Sequence, residues 1–91
     1  MKETILEFRG INRRHLEMYF EELGGMRTNE PGLPGQYRGG NWTGEILSEK
    51  EIAFTPTFKV NAVQVRFRAE TDEELAAFIK SYRYKTTRVG G

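Results

Sequence analysis

Seven consecutive residues, Val63-Gln64-Val65-Arg66-Phe67-Arg68-Ala69, alternate strictly between apolar and polar. A β-strand turns successive side chains to opposite faces. Val63, Val65, Phe67 and Ala69 therefore share one face, and Gln64, Arg66 and Arg68 the other. A strand with one apolar and one charged face belongs to an antiparallel sheet covered on one side only. The chain must also supply the cover, and two stripes of helical spacing provide it. Leu16, Tyr19, Phe20 and Leu23 fall at i, i+3, i+4 and i+7, and Leu75, Phe78, Ile79 and Tyr82 repeat that spacing.

Local signals bound these elements. Thr4 to Arg9 alternates as a strand that Gly10 breaks, and Asn12 is a good N-cap for the first helix. Gly24-Gly25 ends that helix. Thr71-Asp72-Glu73-Glu74 forms a capping box, with Glu74 placed to reach back to the Thr71 amide. Acids at the start of this second helix and Lys80 and Arg83 towards its end suit the dipole. Residues 29–35 carry two Pro-Gly turn signals and form a loop.

From Gln36 to Ala69 the period is two throughout. Gln36 to Arg38 is a short strand, Gly39-Gly40-Asn41 a tight turn, and Trp42 to Leu47 a strand. Ser48-Glu49-Lys50 is read as the next turn. Ile52 and Phe54 alternate in a further strand, which Pro56 places at an edge or bulge, and Phe58 and Val60 resume the alternation. About 34 residues suit four short strands better than two, given a usual strand of about 5–6 residues.

The fold class is α+β: an antiparallel sheet of four to five strands with two helices on one face, ordered β-α-β(4)-α. That order suits a helix-grip arrangement of the TATA-binding-protein type. The alternative is a ferredoxin-like sandwich with Tyr84 to Val89 as a last edge strand. A shift of 59 residues lays Phe8 on Phe67 and Leu16, Tyr19, Phe20 and Leu23 on Leu75, Phe78, Ile79 and Tyr82. The two strand-helix units are thus expected side by side in one sheet. Residues 1–91 form a single domain, with 83–91 as a flexible C-terminal tail in the helix-grip reading.

Chemistry is sparse. There is no cysteine and a single histidine, His15, so thiolate chemistry is excluded and neither metal nor cofactor is expected. Ser48 lacks the context of a hydrolase nucleophile. No catalytic residue is assigned, and the chain is read as a non-enzyme. A net charge of +1 argues against a dedicated nucleic-acid binder. No apolar stretch approaches the ~20 residues of a membrane span. A soluble cytoplasmic protein of bacterial type is expected, with a protein partner or a homodimer as its binding mode.

Three groups of residues are candidate sites. Trp42 and Tyr37 could border the mouth of a cavity between sheet and helices. Arg66 and Arg68, with Lys59, Tyr82 and Tyr84 nearby, form a basic face with aromatics that offers RNA or single-stranded nucleic acid as an alternative ligand. The last candidate is the terminus Arg88-Val89-Gly90-Gly91. A chain ending in di-glycine can present its carboxylate for activation, because no side chain obstructs entry into a partner's active site. Nine residues from Arg83 to Gly91 would reach roughly 30 Å if extended.

The opening Leu6-Glu7-Phe8-Arg9-Gly10-Ile11-Asn12, the β-α-β(4)-α order and the closing Lys85-Thr86-Thr87-Arg88-Val89-Gly90-Gly91 resemble a small bacterial family. It is described as the C-terminal domain of proteins related to the small subunit of molybdopterin synthase. The resemblance implies a fold of the TATA-binding-protein class and a link to molybdenum-cofactor sulfur chemistry. In fused members the domain follows a ubiquitin-like sulfur carrier, which this chain lacks. Two functions are carried forward: a non-catalytic binding or accessory domain, and a carrier activated at Gly91.

Overall fold

The computed structural model describes residues 1–30 and 32–90, without the side chains of 88–90. The elements are β1 (Lys2–Arg9), α1 (Arg13–Glu22), β2 (Met26–Arg27), β3 (Gly35–Arg38), β4 (Trp42–Ala53), β5 (Lys59–Ala69) and α2 (Asp72–Gly90). The five strands form one antiparallel sheet in the order β1-β5-β4-β3-β2. The β-α-β(4)-α order is the expected one, with both helices on one face, but the run from Gln36 to Ala69 supplies three of the four strands, not all of them, and Met26–Arg27 is the other. β1 and β5, the strands of the two similar units, are neighbours, with Thr4 opposite Phe67 and Phe8 opposite Val63.

The alternation of β5 sets the layers. Val63, Val65, Phe67 and Ala69 are fully buried beneath the helices, while Gln64, Arg66 and Arg68 face away from them. From α1, Leu16, Tyr19 and Phe20 enter the core, and from α2, Leu75, Phe78 and Tyr82. Phe20 lies at the centre. Its ring is 4.6 Å from that of Tyr82, 5.4 Å from Tyr37, 5.7 Å from Trp42, and 6.0 Å from both Phe67 and Phe78. Each such buried ring stabilises the fold by about 1.5–3 kcal/mol. Gly44 lies under Phe20 so closely that a Cβ there would overlap the ring.

The caps form largely as read. The Asn12 side chain accepts from the Arg14 amide at 2.8 Å. Gly24 takes φ +94° after α1, a conformation glycine reaches cheaply. Thr71 accepts from the Glu74 amide at 3.1 Å, but Glu74 returns to the Thr71 hydroxyl and not to its amide. The other oxygen of Glu74 accepts from Asn41 at 2.9 Å, pinning the β3–β4 turn to α2.

The structure corrects four readings. Ser48-Glu49-Lys50 is not a turn: β4 runs through it, with an irregularity between Ile46 and Ser48. The extra residue, Leu47, reverses the facing of the strand. Glu49 thereby lies on the helical side, 3.8 Å from Arg13. Pro56 sits in the connection between β4 and β5, not at a strand edge or bulge. Beyond Ala62 and Ile46 these two strands lose their outer neighbours and continue as a two-stranded arm tipped by exposed Phe54 and Phe58.

The third correction is an unexpected strand, Met26–Arg27, paired with Tyr37 and Arg38. The fourth concerns the end of the chain. The ferredoxin-like alternative needs a strand over Tyr84 to Val89, yet α2 continues as a helix to Gly90. Thr86 is buried, and Lys85 reaches Glu22 of α1 at 2.8 Å. Gly91 lies outside the described residues.

Candidate functional site

Sheet register decides which candidates meet. Trp42 pairs with Ala69 and Tyr37 with Gly44, so both point to the helical side. Arg66 and Arg68 sit one residue out of phase, on the open face. The two candidate groups therefore lie on opposite faces of the sheet. Tyr82, read as an aromatic neighbour of the arginines, is fully buried among the helices.

On the helical side Trp42 stacks on Phe78 at 4.3 Å, with an interplanar angle of 17°. A shallow groove of about 230 Å³ opens beside it, lined by Leu23, Asn41, Glu74, Ala77 and Ser81. Tyr37 does not reach this groove. Its ring is buried, and its hydroxyl joins Arg27 and Glu17, at 3.2 Å and 3.4 Å. Burial raises its pKa, and Glu17 adds to the rise against the opposing effect of Arg27.

That Arg27 organises the adjacent loop. Its Nη1 also donates to Glu17 at 3.1 Å, while Nη2 donates to the carbonyls of Glu30 and Gly32 at 2.9 Å and 2.7 Å. Nε donates to the Asn29 carbonyl at 3.1 Å. Sequence reasoning missed this clamp. Its only local signal is a lone arginine before a Pro-Gly loop, which does not reveal five acceptors.

The open face is a charge lattice. Arg66 pairs with Glu45 at 2.9 Å and lies 3.9 Å from Glu3, and Arg68 pairs with Glu3 at 2.9 Å. Gln36 donates to Glu45 at 3.0 Å, and Gln64 to Glu7 at 2.7 Å. Lys59, the third base of the nucleic-acid reading, shares the phase of Val63 and so lies off this face, 3.7 Å from Glu51. Phosphate contacts by Arg66 would compete with an existing carboxylate, whereas Arg68 engages Glu3 through Nε alone. Among the described residues, no group of three or more His, Cys, Asp or Glu side chains could hold a metal ion. No described helix is long and apolar enough to cross a membrane.

The terminal candidates fare differently. Gly90 is the last residue of α2. The Arg88 side chain and Gly91 lie outside the described residues. The family of archaeal MoaD-like proteins matches residues 4–91, which is nearly the whole chain and includes its di-glycine end. The chain belongs to this family. A search of curated proteins found no match.

The match supports the MoaD relation read from the opening and closing segments. It names archaeal proteins, whereas the resemblance points to a bacterial family and to a C-terminal domain, and the match supports neither of those details. In this MoaD-like chain the buried Thr86 fixes where the helix leaves the body. Were everything after Thr86 to extend, five residues would reach about 17 Å, not the roughly 30 Å of a tail starting at Arg83.

Proposed function

We propose that this MoaD-like chain is a small binding or accessory domain of molybdenum-cofactor sulfur chemistry that supplies no catalytic group of its own. Family membership supports the pathway. The observation that carries the accessory role is the course of α2, which stays helical to Gly90 with Thr86 buried and Lys85 tied to Glu22. A carrier must thread its terminal carboxylate into another enzyme, and here the helical residues after Thr86 would first have to unwind.

The second reading is a carrier activated at Gly91. It is favoured by the extent of the family match, which runs through the terminal di-glycine. One pair of measurements separates the two. The purified chain is incubated with ATP and a cognate activating enzyme and examined by intact mass. It is also titrated calorimetrically against molybdopterin synthase, before and after deletion of Gly90-Gly91. The accessory reading expects no adenylate or thiocarboxylate and saturable binding that survives the deletion. A thiocarboxylate, lost on deletion, would establish the carrier and sink the accessory role.

A further inference from the structure

One row of side chains on the open sheet face holds an arginine that pairs with no carboxylate among the described residues. Across the strands, Arg38 of β3 lies opposite Thr43 of β4, Thr43 opposite Arg68 of β5, and Arg68 opposite Glu3 of β1. The next row reads Gln36, Glu45, Arg66 and Ile5. In these two rows three guanidiniums face only two carboxylates. Glu45 is spoken for by Arg66 and Gln36, and its side chain is only 14% exposed. Glu3 serves both Arg66 and Arg68. Arg38 makes no ion pair with any described residue and is exposed.

The geometry points to an oxyanion-binding groove between Arg38 and Arg68, floored by Thr43. A depression of about 300 Å³ lies there, lined by Thr28, Gln36, Arg38, Thr43, Glu45 and Arg68. Arg68 is oriented by its Nε, which donates to Glu3 at 2.9 Å, so that its two terminal nitrogens remain for a ligand. Arg38 approaches from two strands away, about 10 Å across the sheet at the usual strand spacing. That separation lets two planar forks converge on a group seated over the strand between them. Guanidinium forks match the oxygens of carboxylate and phosphate, and the Thr43 hydroxyl adds a donor from below.

Two guanidinium forks and a hydroxyl suit a small oxyanion. The ligand class is therefore a small molecule bearing one carboxylate or one phosphate oxyanion. This site stands independently of the accessory role proposed above, since it rests on strand register and charge alone.

The test uses the full chain, labelled with ¹⁵N and followed by amide and arginine Nε resonances. It is titrated with inorganic phosphate, with acetate, and with chloride at matched ionic strength. Saturable shifts confined to Gln36–Arg38, Thr43–Glu45 and Arg66–Arg68 are expected with phosphate, acetate or both, and the stronger arm names the oxyanion. Arg38→Gln should weaken that binding about three- to tenfold while leaving thermal unfolding unchanged, because the residue is exposed and unpaired. Lys80→Gln, which removes an equal charge from α2, should leave it intact. The same shifts with chloride, or binding unaltered by Arg38→Gln, would overturn the site. Equal weakening by Lys80→Gln would do so too, by reducing the effect to net charge.

Discussion

The hydroxyl of Tyr82 donates a 2.7 Å hydrogen bond to the backbone carbonyl of Leu16, joining α2 to α1 at the centre of the core. The two residues are 66 positions apart in the chain, and both are fully buried. The ring of Tyr82 also packs on Phe8, Tyr19, Phe20 and Phe67. One side chain therefore links both helices to the two strands that precede them. Burial pushes its phenol far above the ordinary value, with Tyr19, Tyr37 and Glu17 adding to the rise, so it remains a donor.

A pH dependence follows. The unfolded chain releases this proton near pH 10, while the folded chain retains it. Deprotonation then favours the unfolded state, and stability falls as pH rises above about 10. Melting midpoints from pH 8 to pH 11 should decline, and Tyr82→Phe should flatten that decline. The same variant should lose about 1–2 kcal/mol near neutral pH, since it forfeits a buried hydrogen bond but keeps the ring. An unchanged alkaline slope in Tyr82→Phe would show that other groups set it.

Gly44 is where the sheet makes room for Phe20. A Cβ at this position would overlap the Phe20 ring, and that ring has no open side into which to retreat. Gly44→Ala should cost about 1–3 kcal/mol, the usual range for overpacking. Phe20→Leu in the same chain should absorb part of that cost, so the double variant falls short of the sum of the singles. Urea unfolding of the three variants measures the coupling. Strict additivity would mean that the two residues do not compete for this space.

Much of the architecture was legible because its signals are local and periodic. Val63 to Ala69 states its two faces outright, and the stripes at Leu16 and Leu75 name the residues that cover one of them. Asn12 and Thr71 mark helix starts through hydrogen bonds made within three residues. What escaped depends on distant partners. Met26–Arg27 is too short for any pattern and is a strand only because Tyr37 and Arg38 lie beside it. Ser48-Glu49-Lys50 is polar because the arm there is leaving the sheet, and a polar run in sequence looks the same as a turn. The helix through Thr86 and Thr87 uses β-branched residues of modest propensity, so only packing reveals it. For the candidate sites, Trp42 and Tyr37 were legible as cavity residues and Arg66 and Arg68 as a basic face, but without the cross-strand partners of either. Register parts them, because Trp42 lies opposite Ala69 while its neighbour Thr43 lies opposite Arg68.

Arg27 should be irreplaceable by lysine. Its planar fork satisfies three loop carbonyls, Glu17 and the Tyr37 hydroxyl at once, whereas an ammonium is a single point donor. Both Arg27→Ala and Arg27→Lys should loosen residues 28–36. Faster exchange is expected at the Thr28 amide, which donates to Gln36, and at the Gln36 amide, which donates to Asn29. Protection at β5 should be retained, since the clamp lies at the far side of the sheet. Full protection of the loop in Arg27→Lys would show that charge, not geometry, holds it.

The end of α2 yields the last prediction, which rests on where packing stops. Thr86 is buried and its hydroxyl donates to the Arg83 carbonyl at 2.8 Å, while Thr87 is exposed and donates to the same carbonyl at 2.9 Å. The body therefore holds the helix as far as Thr86. Removing Gly90-Gly91 should leave the urea midpoint within the equivalent of about 0.5 kcal/mol, as for surface changes generally. Thr86→Gly should cost about 1–2 kcal/mol, because it adds backbone freedom inside a helix and removes a buried side chain. The contrast locates the boundary between packed helix and terminal residues. A large loss on removing the two glycines would move that boundary outward, and with it would go any use of Gly91 as a freely presented carboxylate.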